Sequence, residues 1–320
     1  MTPKRKIYKN GYQHIFQISV DRGIIFYTDA DVIVFFTLLC CFSVKYHIRI
    51  VSLCIMKNHF HILGHFGSPE NMELFINAVC SVYARMYNKR YHRKGKLFRK
   101  PFGSAPKYSE SDIYDCMIYI NNNPVPKKAA EHAIEYRWNF LAYMDSKSPF
   151  SDPFDFASAP DMMITKYLRI VKARDSGQYV DYSFFGELTL GSNEKQYQQI
   201  LDMIVSVYNI IDYSIMLTKW QSKESVSGTL DMVKGSEYDL KEDGSHEDYR
   251  DYDRMNIIAR KTGFDLSKVR FDSEDVDASL VDRVRKNCIY NFNPPSLELD
   301  KYFHSGEYSR TLPKTPITCG

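Results

Sequence analysis

The first 144 residues combine short apolar stretches with longer apolar stretches of helical period. The short stretches predict four β-strands, over residues 14–20, 48–56, 59–66 and 95–102. The helical stretches predict helices over residues 29–45 and 69–91 and from Ser109 to Pro124, with Ser68 and Ser109 as N-caps. This order predicts an α+β fold: a split βαβ (ferredoxin-like) antiparallel sheet with helices on one face and the other face open to a ligand.

Behind residue 144 the pattern changes. Residues 145–160, DSKSPFSDPFDFASAP, are rich in Ser and Pro and predict a linker. Apolar helical segments at 197–220 and 277–290 then predict a mainly helical extension, with a mobile polar gap at 234–254 and an irregular tail from Asn293. We therefore divide the chain into a front unit (1–144), a linker (145–160) and an extension of unknown role (161–320).

Composition indicates a globular protein without a membrane partner. Of the 320 residues, 44% are hydrophobic and 25% are charged. The most apolar window, residues 32–44, is shorter than the roughly 18 residues that a membrane span needs, so we expect a core helix there. No export signal is visible, and the seven cysteines form no CxxC pair, so we expect reduced thiols and a cytoplasmic location.

Charge divides the chain more sharply than the net value of +3 suggests. Residues 1–150 hold 21 Lys and Arg against 11 Asp and Glu, a balance of +10; the remaining 21 basic and 28 acidic residues leave −7 for the rest. A basic front half predicts a polyanionic partner such as nucleic acid.

Two histidines stand two positions apart in the predicted strand at 59–66. Side chains at i and i+2 of a strand lie on the same face about 7 Å apart, so His59 and His61 could reach one metal ion. With nine histidines in the chain, such a pair arises by chance about one time in four, and core packing remains the alternative.

A strongly basic stretch follows, YARMYNKRYHRKGKLFRKPF at residues 83–102. It predicts contacts to DNA phosphates and, through its interleaved aromatic rings, stacking on exposed bases. A solvated helix end is the alternative. The candidate DNA-binding residues are Arg85, Lys89, Arg90, Arg93, Lys94, Lys96, Arg99 and Lys100.

A tyrosine and an asparagine stand four residues apart in DIYDCMIYINNNPV, residues 112–125. Tyr119 and Asn123 would share one face of a helix. Pro124 disfavours helical geometry at Asn123, however, and a core role for Tyr119 with a helix stop at the asparagines is the alternative.

Together these motifs resemble a known family. The order MKNHFHIL, YNKRYHRKGKLFRKPF, YINNNPV and YRWNFLAY, spread over residues 11–144, is similar to that of the HUH single-tyrosine transposases, particularly the REP-associated tyrosine transposases. The resemblance implies that His59, His61 and Asn123 hold a divalent metal, Mg²⁺ or Mn²⁺, and that Tyr119 is the nucleophile. The chain departs from the family at Lys57, where Pro is common, and at Asn121, where His is common.

The resemblance implies a transposase of the bacterial cytosol or nucleoid. Such an enzyme would cleave and rejoin single-stranded or hairpin DNA through a 5′-phosphotyrosine intermediate, as a monomer or a homodimer. A hairpin-binding regulator that has lost cleavage is one alternative. A metallohydrolase that uses His59 and His61 with water is another.

Overall fold

One antiparallel sheet organises the front of the chain. Its strands are β1 (Tyr12–Ile18), β2 (Arg49–Ile55), β3 (His59–His65) and β4 (Gly103–Lys107), in the order β2-β3-β1-β4. The structure is a computed structural model, and it describes residues 11–232, 249–264 and 277–303. The strand order and the helices between the strands confirm the predicted α+β class.

The fourth strand lies later than we expected. Residues 95–102 form only a single bridge, between Phe98 and Ser19, because Leu97 and Phe98 turn into the core. The strand partner of β1 is Gly103–Lys107 instead. At Gly103 a Cβ atom would lie 2.0 Å from the Phe16 ring, so glycine permits this close pairing. The half-buried stretch GSAPK carries no alternating apolar signal, which is why the sequence did not reveal it.

Two helices cover one face of the sheet, and both lie where they were predicted. They are α1 (Asp29–Lys45) and α2 (Pro69–Arg90). Thr28 and Asp31 form a capping box at the start of α1, and the Ser68 hydroxyl accepts the Asn71 N–H at 3.1 Å at the start of α2. Phe60 of β3 packs on Phe35 of α1 at 4.7 Å between ring centroids.

Helix α3 (Glu110–Asn122) contacts the opposite face of the sheet. We expected this face to be open, and that expectation is wrong. Ser109 and Asp112 form the predicted capping box at the start of this helix. The apolar side of α3, with Cys116, Met117 and Ile120, is buried. Burying that side requires a partner surface, and β2 and β3 supply it.

The extension is mainly helical, as predicted. Eight helices are described, five before the first gap and three after it: α4 (Asp161–Asp175), α5 (Tyr182–Thr189), α6 (Glu194–Tyr208), α7 (Ser214–Trp220), α8 (Lys223–Met232), α9 (Tyr252–Lys261), α10 (Ala278–Phe292) and α11 (Ser296–Phe303). Helices α5 and α6 pack against α1. There, the Tyr182 hydroxyl donates to the buried Asp31 carboxylate at 2.9 Å. No helix within the described ranges is long and apolar enough to cross a membrane.

Two expectations about the extension need correction. Most of the predicted mobile gap, residues 234–248, lies outside the described residues, but Tyr249 and Tyr252 toward its end are buried at the start of α9. The predicted irregular tail contains α11, because Leu299, Tyr302 and Phe303 recur at helical spacing and are buried. Residues 304–320 lie outside the described part.

Candidate active site

The two predicted metal-binding histidines lie on one face of β3. His59 is 5% exposed and His61 is fully buried, and their ring centroids are 5.0 Å apart with the rings nearly perpendicular. In the sheet His59 pairs with Ile18 and His61 with Phe16 of β1. The α3 face of the sheet therefore carries both imidazoles.

Asn123 closes the pocket from the end of α3. Its Oδ1 lies 3.2 Å from Nε2 of His59, and its Nδ2 lies 3.5 Å from Nε2 of His61. The backbone of Asn123 stays helical, with φ −52° and ψ −34°, although Pro124 follows it. The structure thus brings together the three residues that we expected to bind metal.

The other ring nitrogen of His59 is held by its neighbour in the β2–β3 turn. The side-chain oxygen of Asn58 lies 2.5 Å from Nδ1 of His59 and accepts its proton. The Nε2 lone pair of His59 then points toward Asn123, which is the arrangement that a metal-binding imidazole needs.

The Lys127 ammonium group lies at the same ligand atoms. It donates to Asn123 Oδ1 at 3.0 Å and lies 3.5 Å from His59 Nε2. Sequence analysis missed Lys127 because Pro124 and Pro126 predict that the helix has ended. The turn after α3 nevertheless keeps the spacing of four residues that places Lys127 beside Asn123.

His14 is a second residue that the sequence did not reveal. It is buried on β1, and its Nε2 lies 3.0 Å from Nδ1 of His61. No short-range motif connects residues that are 47 positions apart. Only the pairing of β1 with β3 brings the two rings together.

The predicted nucleophile lies against this cluster. The half-buried Tyr119 ring lies 5.5 Å from the His61 ring and 5.8 Å from the His14 ring, both edge-on. Three residues earlier on α3, burial raises the pKa of the Cys116 thiol to about 12, despite the opposing charge of Lys107. At neutral pH that thiol is therefore protonated and a poor nucleophile.

The donor set fits a divalent cation that takes further ligands from a substrate. Within the described ranges no three His, Cys, Asp or Glu side chains are arranged so that they could hold a metal ion by themselves, so a cation here would depend on the amide oxygen of Asn123. That oxygen and His59 Nε2, both acceptors, already lie around a positive charge, the Lys127 ammonium. Two imidazoles and one amide leave coordination positions free for phosphate oxygens.

The basic stretch is only partly as expected. Seven of its eight basic side chains are exposed: Arg85, Lys89, Arg90, Lys94, Lys96, Arg99 and Lys100. Arg93 is half-buried and donates to the Lys96 carbonyl at 2.8 Å, so it braces the loop. Tyr87, Tyr91 and Phe98 are buried in the core and cannot stack on DNA bases, which corrects the prediction for these rings.

The basic stretch lies beside β1, the strand that pairs with the histidine-bearing β3. The Arg99 N–H donates to the Ile18 carbonyl at 2.9 Å, and Ile18 pairs with His59 across the sheet. Neighbouring strands are about 4.8 Å apart, so the Arg99 backbone lies roughly 10 Å from that of His59. A phosphate chain that contacts the loop could therefore reach the pocket.

The two departures from the family have different surroundings. Asn121 is buried and donates to Ser52 Oγ at 3.1 Å and to the Met117 carbonyl at 2.8 Å, so it fastens α3 to β2. The Lys57 side chain, at the first departure, is 4% exposed and forms an ion pair with Asp253 at 2.8 Å.

Residues 7–123 match the family model described as "Transposase IS200 like". This match ends at Asn123 and spans the whole candidate pocket except Lys127, and it confirms the resemblance to the tyrosine transposases. No curated protein matches the chain. A solved structure of a REP-associated tyrosine transposase bound to a REP hairpin is similar, with 13% identity and a TM-score of 0.39, over 50% of this chain and 98% of that one.

Proposed function

We propose that this protein is a metal-dependent DNA strand transferase that cleaves and rejoins single-stranded or hairpin DNA. The proposal starts from the transposase match over residues 7–123. The observation that carries it is the position of Tyr119, whose ring lies edge-on against His61 beside the pocket of His59 and Asn123. The preference for hairpin DNA is what the family resemblance implies, and the cytosolic location is the expectation drawn from the sequence.

The chemistry needs one nucleophile and no external energy source. The Tyr119 phenol gives up its proton as its oxygen attacks the scissile phosphorus and the phosphotyrosine bond forms. The bond from phosphorus to the 3′-oxygen breaks, and that oxygen takes up a proton, so no net proton is lost or gained. Because one phosphodiester replaces another, the reverse attack by a 3′-hydroxyl rejoins the DNA and releases the phenol. A bound Mg²⁺ or Mn²⁺ would supply Lewis acidity at a non-bridging phosphate oxygen.

The chain's own residues position the reactants. His59, His61 and Asn123 supply the ligand atoms for the cation, and Asn58 fixes the orientation of the His59 ring. The exposed lysines and arginines of residues 85–100 attract the phosphate backbone without reading sequence. Helix α3, pinned to β2 through Asn121, holds the phenol against the pocket.

The direct test incubates the protein with a labelled hairpin oligonucleotide and Mn²⁺ and looks for a covalent adduct on a denaturing gel. We expect an adduct with the natural chain and none with Tyr119→Phe. Tyr114→Phe, a change on the same helix, is the matched control and should keep the adduct. An adduct that persists in Tyr119→Phe would refute the assigned nucleophile.

A second candidate is a hairpin-binding regulator that no longer cleaves. The Lys127 ammonium group favours it, because a fixed positive charge at the ligand atoms of Asn123 and His59 competes with a metal ion. This candidate predicts salt-sensitive hairpin binding and no adduct with any divalent metal.

A further inference from the structure

The extension, whose role the sequence left open, reaches both edges of the candidate pocket. Its segment from Tyr249 to Asp253 contacts Lys57, two residues before His59, and Lys127, four residues after Asn123. These two contacts come from a single stretch of five residues. They lie on the two chain segments that carry the ligands His59 and Asn123.

The first contact is an ion pair on the turn between β2 and β3. The Lys57 ammonium group donates to the Asp253 carboxylate at 2.8 Å and lies 5.9 Å from the centre of the Tyr252 ring. The Lys57 side chain is 4% exposed, so loss of this partner would leave its ammonium group with little compensation from water. The next residue is Asn58, whose side chain orients the His59 ring.

The second contact is a backbone hydrogen bond on the turn after α3. The Tyr249 N–H donates to the Lys127 carbonyl at 2.9 Å. Tyr249 is buried, so this bond is shielded from water. It holds the backbone of the turn that begins with Asn123 and Pro124.

The segment continues into α9, and α9 is tied to the front unit. Asn256 of α9 donates to the Tyr27 carbonyl and accepts from the Tyr302 hydroxyl at 2.8 Å. Arg260, at the end of α9, forms an ion pair with Asp29 of α1 at 3.1 Å. The middle and the C-terminal end of α9 are therefore tied to Tyr27 and Asp29 of the front unit, and this helix holds the segment that contacts the two turns.

We propose that the segment Tyr249–Asp253 is a positioning element that completes the candidate metal pocket. It holds the β2–β3 turn through the Lys57 side chain and the turn after α3 through the Lys127 carbonyl. The inference rests on the proposed function, because it assigns to the extension the task of keeping His59 and Asn123 at ligand distance.

The test measures Mn²⁺ affinity of the full chain without DNA, from the electron paramagnetic resonance signal of free Mn²⁺. We expect Asp253→Asn to weaken Mn²⁺ binding about 10-fold, the low end for residues that orient metal ligands. Asp282→Asn, which breaks an exposed ion pair with Lys286 on α10, is the matched control and should bind like the natural chain. The double variant Lys57→Met with Asp253→Asn should recover part of the loss, since no buried charge remains unpaired.

A comparison of two variants tests the backbone hydrogen bond between Tyr249 and Lys127. Tyr249→Ala and Tyr249→Pro both remove the buried ring, but only the proline removes the N–H that Lys127 accepts. We expect the proline variant to bind Mn²⁺ more weakly than the alanine variant. Met163→Ala removes a buried side chain of α4 and serves as the control: it shows how a loss of folding stability alone changes Mn²⁺ affinity.

The outcomes separate the two proposals. If the natural chain binds Mn²⁺ and His59→Ala abolishes binding, the metal site stands. Unchanged affinity in both Asp253→Asn and Tyr249→Pro would then overturn the positioning role alone. If the natural chain binds no Mn²⁺, the metal site and the positioning role fall together.

Discussion

The imidazoles of His14 and His61 lie 3.0 Å apart, measured from Nε2 of the first ring to Nδ1 of the second. If His61 is to offer the lone pair of its Nε2 toward Asn123, its proton must sit on Nδ1, and His14 must accept it. His14 then fixes the tautomer of a metal ligand from the neighbouring strand.

The first prediction concerns this pair. His14→Ala should weaken Mn²⁺ binding about 10- to 100-fold, because His61 loses the partner that orients it. It should also lower the free energy of unfolding by about 1–3 kcal/mol, because a buried ring nitrogen is left without its acceptor. His14→Gln, whose amide oxygen can still accept, is the matched control and should lose less of both. Mn²⁺ titration and urea unfolding check the two effects, and full affinity in His14→Ala would contradict the assignment.

The second prediction is a gain of Mn²⁺ affinity. Lys127→Met removes the positive charge that lies 3.0 Å from Asn123 Oδ1, so Mn²⁺ should bind at least about fivefold more tightly, a difference of about 1 kcal/mol or more. Lys128→Met, an exposed neighbour, should leave affinity unchanged. Weaker binding in Lys127→Met would mean that the lysine supports the pocket instead of competing with the cation.

The third prediction concerns the departure from the family at Asn121. Asn121→His places a larger ring in a buried site and breaks the bonds to Ser52 and Met117, so it should cost about 1–3 kcal/mol of stability. Adduct formation with hairpin DNA should not increase. Urea unfolding and the gel assay measure both, and a gain in adduct would show that histidine serves the chemistry at this position.

The fourth prediction tests whether the exposed basic residues of the stretch 85–100 contact DNA phosphates. Lys94→Gln with Lys96→Gln should reduce the slope of log affinity against log salt by about 1.4 for single-stranded DNA or 1.8 for duplex DNA, if each lysine neutralises one phosphate. Lys172→Gln with Arg174→Gln on α4 is the matched control of equal charge. Equal slopes in both double variants would place the DNA elsewhere.

The fifth prediction is a pH dependence outside the pocket. The hydrogen bond and charge of Asp231 raise the pKa of His132 above its ordinary value of 6.5. A raised histidine pKa stabilises the fold fully below the unfolded value and no longer does so above the folded one. The stability difference between the natural chain and Asp231→Asn should therefore be largest below pH 6.5 and vanish as pH rises through the raised pKa. Urea unfolding over a pH series checks this, and a difference independent of pH would contradict it.

Local signals determined much of the fold. Capping residues such as Ser68 and Ser109 marked the starts of α2 and α3, and short apolar stretches marked β1 to β3, because these features depend on neighbours within a few positions. The pair His59 and His61 could be placed on one face from spacing alone, since strand geometry repeats every two residues. The true fourth strand escaped because GSAPK carries no alternating apolar signal, and the contact of Gly103 with Phe16 that permits its close pairing exists only in the folded chain.

Tertiary structure alone decided what surrounds the pocket. His14 meets His61 through the register of two strands, Lys127 reaches Asn123 through a turn that continues past a proline, and Asp253 finds Lys57 across 196 positions. Such contacts leave no periodic trace in a sequence, because the packing of the whole chain, and not the neighbours of each residue, provides the free energy that holds them. The sequence therefore determined which residues could carry the chemistry, and the folded chain decided which others support them.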